Sequence, residues 1–426
     1  MNAKVGLAMT SFLAAASATV SAKDMEPCHS GAAEDPPRFL LVAAANSSTR
    51  DKAAANFVCT GKNDERFFNE AISRLRFGGT LKMADGDYFF DAFAEEGDTA
   101  VLFGFNDGDA RTINIEGTTE NKSYNTRHGV SIHVTKAAVE AARGGGPKFV
   151  FRGTEKRPPS RGAFFSMTHV NNVNFANFYL FLHDASAPIC GISGNGFGSM
   201  FLSQIGIYTE KYFDDRFLHR KPATPAKGSV GVLSLHNSND EMARIGYDFV
   251  NVGGLHTGFL FQGVDHLVLR DCSAARCCYG YRTTGRAAKT LTMINCCDEG
   301  NAHLPFFGGT GHLTAIDFNI ERFNAAFIPD SPDNTGPWAV EETPGGWHGF
   351  ISYTMQGEAF GLKKFWKDGC GINFRTENLN HSRMERPDCP EFLETYFDRA
   401  TGRTLTWDGS RWVDALGRPA DEGAKD

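Results

Sequence analysis

The feature of this sequence that most constrains its fold is an internal repeat. Four segments align on one frame, in which an apolar strand is followed by Asp or Asn and, further on, by an aromatic residue. They are IGYDFVNVGGLHTGFLF from Ile245, LVLRDCSAARCCYGYRTT from Leu267, LTMINCCDEGNAHLPFF from Leu291 and LTAIDFNIERFNAAFIP from Leu313. The polar residues Asp248, Asp271, Asn295 and Asp317 are separated by 23, 24 and 22 positions, and looser copies carry Asn177 and Gln204. A repeat of this length indicates similar units stacked on one another.

The period predicts an all-β fold, a right-handed parallel β-helix in which each coil contains about two dozen residues. Inward side chains of such a solenoid stack in columns. Cys272 and Cys296 occupy equivalent positions of the frame, and Phe318 continues that column. The Asp and Asn column is expected at strand-to-turn corners, where its side chains can bond turn amides. We therefore interpret this column as structural rather than catalytic.

One isolated helix is predicted ahead of the repeat, over residues 64–76. Asn63 is a favourable N-cap, Phe68, Ile72 and Leu75 form an apolar stripe, and Gly78-Gly79 ends the helix. Short strands are predicted at 39–44 and 80–83. A solenoid has an open end whose strands and core need a cover, so an amphipathic helix at this point predicts a cap.

The segment LLVAAANSSTRDKAAANFVCTGKNDERFFNEAISRLRFGGTLKMADGDYFF resembles the entry segment of the pectate lyase-like (pectin lyase-fold) β-helix superfamily. The likeness covers residues 40–90, and the coil period extends it to about residue 380. It departs from the family at Met83-Ala84-Asp85, a change confined to the first coil. Such proteins include polysaccharide lyases, glycoside hydrolases, fructotransferases and phage tailspikes, so the resemblance implies a carbohydrate-binding solenoid without fixing its activity.

The tail YFDRATGRTLTWDGSRWVDALG is similar to a small C-terminal module of phage tail proteins and gut-bacterial surface proteins. Its pattern predicts a β-hairpin, with RTLTW and RWVD joined by an Asp-Gly turn. The two tryptophans are predicted to pair across the strands as a small core, although such a pair can also bind sugars. We divide the chain into a leader (1–22), a β-helix domain (23–390) and a C-terminal module with its tail (391–426).

Composition and the N-terminus restrict where the protein works and what it binds. The 426 residues carry a net charge of −7, which disfavours a nucleic-acid partner because phosphate binding needs a basic surface. Residues 1–22 resemble a signal peptide that ends in an A-x-A-like site, which predicts a secreted or cell-surface protein, with a phage particle as the alternative. No apolar run is long enough to span a membrane.

Motifs for cofactors and metals are absent from the sequence. It contains no P-loop and no dinucleotide-binding Gly-x-Gly-x-x-Gly, so no nucleotide cofactor is predicted. The vicinal pairs Cys277-Cys278 and Cys296-Cys297 lack zinc-site spacing, and no metal is predicted. After export, Cys28 with Cys59 and Cys370 with Cys389 could form disulfides, although buried free cysteines are also common.

Acidic clusters in loops between coils are the predicted catalytic groups, because glycoside hydrolysis requires paired carboxylates. We predict Asp298 and Glu299, together with Asp240 and Glu241, as catalytic residues. A solvated loop acid is the plain alternative for each of them. The predicted substrate-binding residues are Arg276, His256, His303, Trp338, Trp347, Asp214 and Asp215.

Three functions are compatible with these observations. The first is a carbohydrate-active enzyme that hydrolyses, eliminates or transglycosylates a polysaccharide or oligosaccharide. The second is a non-enzymatic tailspike-like protein or surface adhesin, and the third is a purely structural solenoid. A homotrimer is a further expectation, because proteins of this kind often trimerise.

Overall fold

The computed structural model describes residues 36–91, 99–104, 111–119, 129–143, 163–168, 172–183, 189–195, 199–213, 229–235, 244–262, 264, 266–283, 290–301, 306–307, 311–322, 347–357, 371–376, 395–398 and 403–419. All of them belong to the unit Pro36–Asp426. Among them, no helix has the length and apolar character needed to cross a membrane. The leader 1–22 lies outside the described residues.

Short strands dominate the described part of the chain. The helices are α1 (Thr49–Ala54), α2 (Glu65–Arg74), α3 (Lys136–Arg143) and a 3-10 helix at Glu210–Phe213. The strands are β1 (Phe39–Ala43), β2 (Phe57–Val58), β3 (Gly79–Met83), β4 (Gly86–Phe90), β5 (Thr99–Gly104), β6 (Thr112–Gly117), β7 (Val130–Val134), β8 (Ala163–Thr168), β9 (Asn172–Leu182), β10 (Cys190–Asn195), β11 (Ser199–Thr209), β12 (Val230–Leu235), β13 (Arg244–Gly253), β14 (Thr257–Gln262), β15 (His266–Arg270), β16 (Ser273–Ala275), β17 (Tyr279–Thr283), β18 (Thr290–Ile294), β19 (Cys297–Glu299), β20 (Phe306–Phe307), β21 (Gly311–Arg322), β22 (Trp347–Gly357), β23 (Gly371–Thr376), β24 (Thr395–Asp398), β25 (Arg403–Trp407) and β26 (Trp412–Val413).

The strands pair mainly in parallel, in two large sheets, so the chain is all-β as predicted. One sheet runs from β5 through β8, β10, β12, β14 and β17 to β20. Between β8 and β21 the described strands alternate along the chain between that sheet and the larger one, with the pairs β15–β16 and β18–β19 each in the place of one long strand. The predicted repeat frame is confirmed, since Ile245, Leu267, Leu291 and Leu313 are neighbours in register on successive strands of the larger sheet.

The core consists of columns of apolar side chains between the sheets. Cys272, Cys296 and Phe318 are buried at the equivalent positions that the repeat predicts, and both cysteines are free thiols. Cys59 is also a buried free thiol, whereas Cys28, Cys370 and Cys389 lie outside the described residues. In the smaller sheet, the rings of Phe259 and Tyr281 are in register and stack at 5.1 Å.

A column of left-handed residues crosses the larger sheet, within β9, β11, β13 and β21 and between the strands of the pairs β15–β16 and β18–β19, and it separates a preceding face from a following one. Its members share a φ between +51° and +63°, and they are Asn177, Gln204, Phe249, Asp271, Asn295 and Asp317. Asn and Asp tolerate this conformation better than other residues with a side chain, which explains their recurrence. Asn295 Nδ2 also donates a hydrogen bond to Asp271 Oδ1.

The repeat alignment is wrong by one residue at Asp248. Asp248 lies in register with Arg270, one position before the corner, and pairs with its guanidinium at 3.6 Å. Phe249 therefore holds the corner position in β13. The error arose because Asp248 is the polar residue nearest to the expected position, whereas the residue that adopts the left-handed conformation is an aromatic one.

Replacing Phe249 with asparagine is expected to raise the free energy of unfolding by about 1 kcal/mol, because a side chain that tolerates positive φ relieves backbone strain. Urea unfolding of the two proteins measures the difference. Phe201→Asn is the matched control, since Phe201 is similarly exposed but does not adopt a positive φ. A loss of stability in Phe249→Asn would contradict the strain argument.

Helix α2 buries the predicted apolar stripe. Phe68, Ile72 and Leu75 are buried, and the Phe68 ring lies 5.4 Å from Tyr88 and 5.1 Å from Phe90 between centroids. The helix packs against β1, β2 and β5. Its apolar side therefore continues the core at the first strands of the chain.

The helix begins differently from the prediction, because Asp64 and not Asn63 occupies the N-cap position. The buried Asp64 carboxylate accepts hydrogen bonds from the backbone N–H groups of Thr60 and Gly61 at 3.0 Å and of Phe89 at 2.9 Å. Asn63 adopts a left-handed φ of +49° just before it. Asp64 thus ties the preceding loop and strand β4 to the start of the helix.

Burial raises the pKa of Glu65, in the first turn of α2, to about 7, and the Asp91 and Asp64 carboxylates add to the increase. The folded protein favours the protonated form of Glu65. The contribution of Glu65 to the free energy of unfolding is therefore fully present at acidic pH and is lost as the pH rises through about 7. Glu65→Gln should therefore be more stable than the parent at pH 8, by about 1–2 kcal/mol, and less pH-dependent. Thermal unfolding between pH 4 and pH 8 measures this, with the exposed Glu70→Gln as control. A parallel pH dependence in parent and Glu65→Gln would refute the assignment.

The C-terminal module forms the predicted hairpin. Strands β24, β25 and β26 are antiparallel, and Trp407 pairs with Trp412 at 5.7 Å between ring centroids. Asp408 begins the turn and accepts hydrogen bonds from the backbone of Ser410 and Arg411. Trp412 is buried with Leu405, so the tryptophan pair serves as a small core.

Candidate functional site

The eleven predicted site residues fall partly inside and partly outside the described ranges. Asp214, Asp215, Asp240, Glu241, His303 and Trp338 lie outside the described residues. For Trp347 the structure describes the backbone, which begins β22. Asp298, Glu299, Arg276 and His256 are described with their side chains.

Asp298 and Glu299 lie in strand β19 rather than in a loop, and their side chains take opposite directions. Asp298 is in register with Ala274 and Ile320 in an inward column, and none of its surface is exposed. Asn301 Nδ2 donates a hydrogen bond to Asp298 Oδ2 at 2.7 Å. Asp298 is thus part of the buried structure, out of reach of a polymer on the outer surface.

Glu299 faces outward, where it meets a second carboxylate that sequence reasoning missed. Glu299 and Glu321 are in-register neighbours on β19 and β21, and both are partly exposed. Asn319 Nδ2 donates to Glu321 Oε1 at 2.7 Å, which fixes the orientation of that carboxylate. Because the two residues are in register, their side chains face the same side of the sheet, and their backbones are about 4.8 Å apart.

Arg276 and Tyr212 border this acidic pair. Arg276 N donates to the Glu299 carbonyl oxygen at 2.8 Å, and φ of +53° at Arg276 turns the chain away from β16. The guanidinium lies 4.9 Å from the centre of the Tyr212 ring and donates to the Tyr212 carbonyl oxygen. Arg276, which the sequence predicts to bind substrate, thus lies beside Glu299.

Burial raises the pKa of Glu299, and the Glu321 carboxylate raises it further, against the opposing effect of the Arg276 guanidinium. Burial also raises the pKa of Tyr212, with Glu299 contributing. The pair therefore combines a carboxyl group that favours its protonated form with a hydrogen-bonded neighbour. This is the asymmetry that acid–base chemistry by two carboxylates requires.

Glycines leave space beside the pair for tyrosine rings. A Cβ on Gly253 would overlap the Tyr212 ring, and a Cβ on Gly206 would overlap the rings of Tyr179 and Tyr208. The Tyr208 and Tyr212 ring centroids are 4.7 Å apart. The 3-10 helix thus brings Tyr212 back over β13, where it forms one side of the site.

A second polar cluster lies on the outward positions of β4, β7 and β9. His133 is stacked between Phe89 and Phe181, at 5.0 and 5.4 Å between ring centroids. Its Nε2 lies 3.2 Å from Asp87 Oδ1, and its Nδ1 lies 2.9 Å from His183 Nε2. Burial lowers the pKa of His183, as do the charges of His133 and Lys136. This cluster links the ends of the first strands.

His256 is not part of the acidic site. It directly precedes β14, where its ring lies 5.3 Å from Tyr279 and its backbone N–H donates to Ser229 Oγ. Across the described ranges, no group of three or more His, Cys, Asp or Glu side chains is arranged to hold a metal ion.

Comparison of this chain with protein-family models, with curated proteins and with solved structures gave no match.

Proposed function

We propose that the chain is a right-handed parallel β-helix of the pectate lyase-like superfamily, with α2 as its N-terminal cap. Three observations support this fold: the repeat frame in register, the alternation of strands between two parallel sheets, and the left-handed corner column. The apolar side of α2 meets the core where the first strands begin, which is where a cap is needed.

On this scaffold we propose that the protein binds a polysaccharide and hydrolyses its glycosidic bonds. The observation that carries the proposal is the outward, in-register pair Glu299 and Glu321. Glycosidases use two carboxyl groups, one as acid and one as base or nucleophile. Glu299 is the acid, because its raised pKa favours the protonated form. Glu321, held by Asn319, is the nucleophile.

The spacing of the two strands favours retention of anomeric configuration. Retaining enzymes separate their carboxyl groups by about 5–5.5 Å, which is close to the ~4.8 Å between in-register residues on adjacent strands. Glu321 bonds to the anomeric carbon as the glycosidic C–O bond breaks, and the leaving oxygen takes the proton of Glu299. Glu299 then removes a proton from water, which displaces Glu321 and releases the sugar.

Neighbouring side chains position the sugar. Gly253 and Ala275 precede Glu299 and Glu321 in the same column, but the Tyr212 ring covers Gly253 and Ala275 is buried, so the open surface begins at the carboxyl groups. The Tyr212 ring and Arg276 form its edge. A sugar unit bound at the two acids would contact this edge.

The experiment is a polysaccharide panel assayed for new reducing ends and, separately, for unsaturated uronates. The parent should release saturated reducing ends, and the double variant Glu299→Gln/Glu321→Gln should release none. Glu70→Gln, an exposed helix substitution, should match the parent. Unsaturated products would show a lyase, and binding of glycans without any cleavage would show an adhesin; either result would refute the hydrolase proposal.

Export to the cell surface and homotrimer formation remain predictions of the sequence. Detection of the protein outside the cell, and light scattering of the purified protein, are the measurements that address them.

A further inference from the structure

Phe201, on the outer face of β11, presents an aromatic ring to solvent. Its residue is 44% exposed, although most aromatic side chains of the described sheets are buried. It is in register with Gly246 of β13, and a Cβ added to Gly246 would lie 2.8 Å from Phe201 Cδ1 and 3.0 Å from Cε1. The ring therefore leans over the glycine, which has no side chain to displace it.

Phe249 is a second exposed ring on the same strand pair, and it occupies a strained position. It is 51% exposed and has a φ of +53°, where the equivalent residues of neighbouring strands are Gln204 and Asp271. A bulky residue with positive φ is an outlier, and such strain is often retained at binding sites. Within the part of the chain that the structure describes, neither burial nor backbone preference explains a phenylalanine here.

A charged pair lies beside the two rings. Asp248 is the outward residue between Gly246 and Phe249, and it pairs with Arg270 at 3.6 Å while both side chains remain well exposed. Asn174 is in register with Phe201 on the other side. Phe249 is three residues from Gly246, so the rings are separated by about 10 Å along the strand, with hydrogen-bonding groups between them.

We propose that Phe201, Phe249, Asp248 and Arg270 form a second glycan-binding surface, separate from the acidic pair. Sugars are recognised by aromatic rings that contact their C–H faces and by planar polar side chains that bond their hydroxyl groups. This surface presents both, on the face that precedes the left-handed corner and at the corner itself, whereas Glu299 and Glu321 lie on the face that follows it. The inference rests on the proposed function, since the ligand is the same polysaccharide held away from the hydrolytic site.

The charged pair favours a glycan over a second copy of the chain. Val268, Ile294 and Ile316 extend the exposed apolar area on the neighbouring strands. However, the centre of a protein interface is depleted of charged residues, and burying Asp248 and Arg270 would require their desolvation. A sugar chain leaves such groups hydrated while it bonds to them.

The test measures binding in the Glu299→Gln/Glu321→Gln background, so that the ligand is not consumed. Homogalacturonan, xylan, dextran and chitin oligosaccharides serve as probes on an array, followed by calorimetry with any that bind. Adding Phe249→Asn should weaken binding at least tenfold while leaving the protein no less stable, which separates lost contact from misfolding. Phe201→Ala should weaken binding similarly, whereas Phe39→Asn, at an exposed phenylalanine of β1, should not.

Unchanged affinity in both the Phe201 and Phe249 variants would overturn the proposal. So would a parent that self-associates in light scattering and becomes monomeric on Phe249→Asn, because a second copy would then cover the surface. Cleavage by the unmodified protein is measured separately, so failure of the hydrolytic site and failure of this surface give different results.

Discussion

Replacing Glu299 with glutamine is expected to lower the rate of glycan hydrolysis by about 10²- to 10⁴-fold, as for the loss of an acid–base group, and Glu321→Gln, which removes the nucleophile, should lower it at least as much. The two losses should differ in kind. The Glu299→Gln variant lacks the group that protonates the leaving oxygen. It should therefore retain activity toward substrates whose leaving group departs without being protonated. Glu321→Gln should be inactive toward those substrates too.

The pH profile provides an independent check of the roles. As an acid with a raised pKa, Glu299 must be protonated, so the parent should lose activity as the pH rises through that pKa, and Glu299→Gln should lack this alkaline limb. Azide should restore turnover when the nucleophile is removed by Glu321→Ala. Glu116→Gln, another outward strand carboxylate, is the control. Equal rates in parent and variants would remove the acidic pair from consideration as the catalytic site.

The second large effect concerns stability. Phe259→Ala is expected to lower the free energy of unfolding by about 3–5 kcal/mol. Phe259 is fully buried, its ring is stacked on Tyr281 at 5.1 Å with 2° between the planes, and Tyr247 lies 6.0 Å away. Removing the ring leaves a cavity in an aromatic column that continues through neighbouring strands.

Denaturant unfolding of Phe259→Ala and of Phe39→Ala provides the comparison. Phe39 is 56% exposed, so its truncation should change stability by no more than about 0.5 kcal/mol. Similar losses in the two variants would mean that the stacked rings contribute no more than a surface phenylalanine.

The repeat in the sequence contains enough information to identify the acidic pair, although the residues predicted as catalytic did not include Glu321. Glu299 and Glu321 are each eight positions after the leucine that begins their repeats, Leu291 and Leu313. Aligning that position would have identified the pair. Asp298 lies one position earlier, where the neighbouring repeats have the apolar residues Ala274 and Ile320. The alignment therefore also predicts that Asp298 points inward. Asp298 was predicted as catalytic only because it is acidic.

Other parts of the site could not be obtained from the period. Tyr212 lies in the 3-10 helix after β11, in a segment that interrupts the repeat. The position of the Tyr212 ring depends on how this segment folds back over Gly253. Phe249 was missed because a sequence pattern identifies side chains that prefer a left-handed backbone, whereas this residue adopts it against its preference. Tertiary packing decides both.

The alternation of inward and outward side chains along each strand has an evolutionary consequence. The outward column Gly253, Ala275, Glu299 and Glu321 changes from hydrogen through methyl to carboxylate while its buried neighbours keep the strands together. Where such a position is open to solvent, as at Glu299 and Glu321, reactive groups can therefore be gained or lost through single codon changes, at little risk to folding. A scaffold with this property allows its chemistry to diversify independently of its architecture.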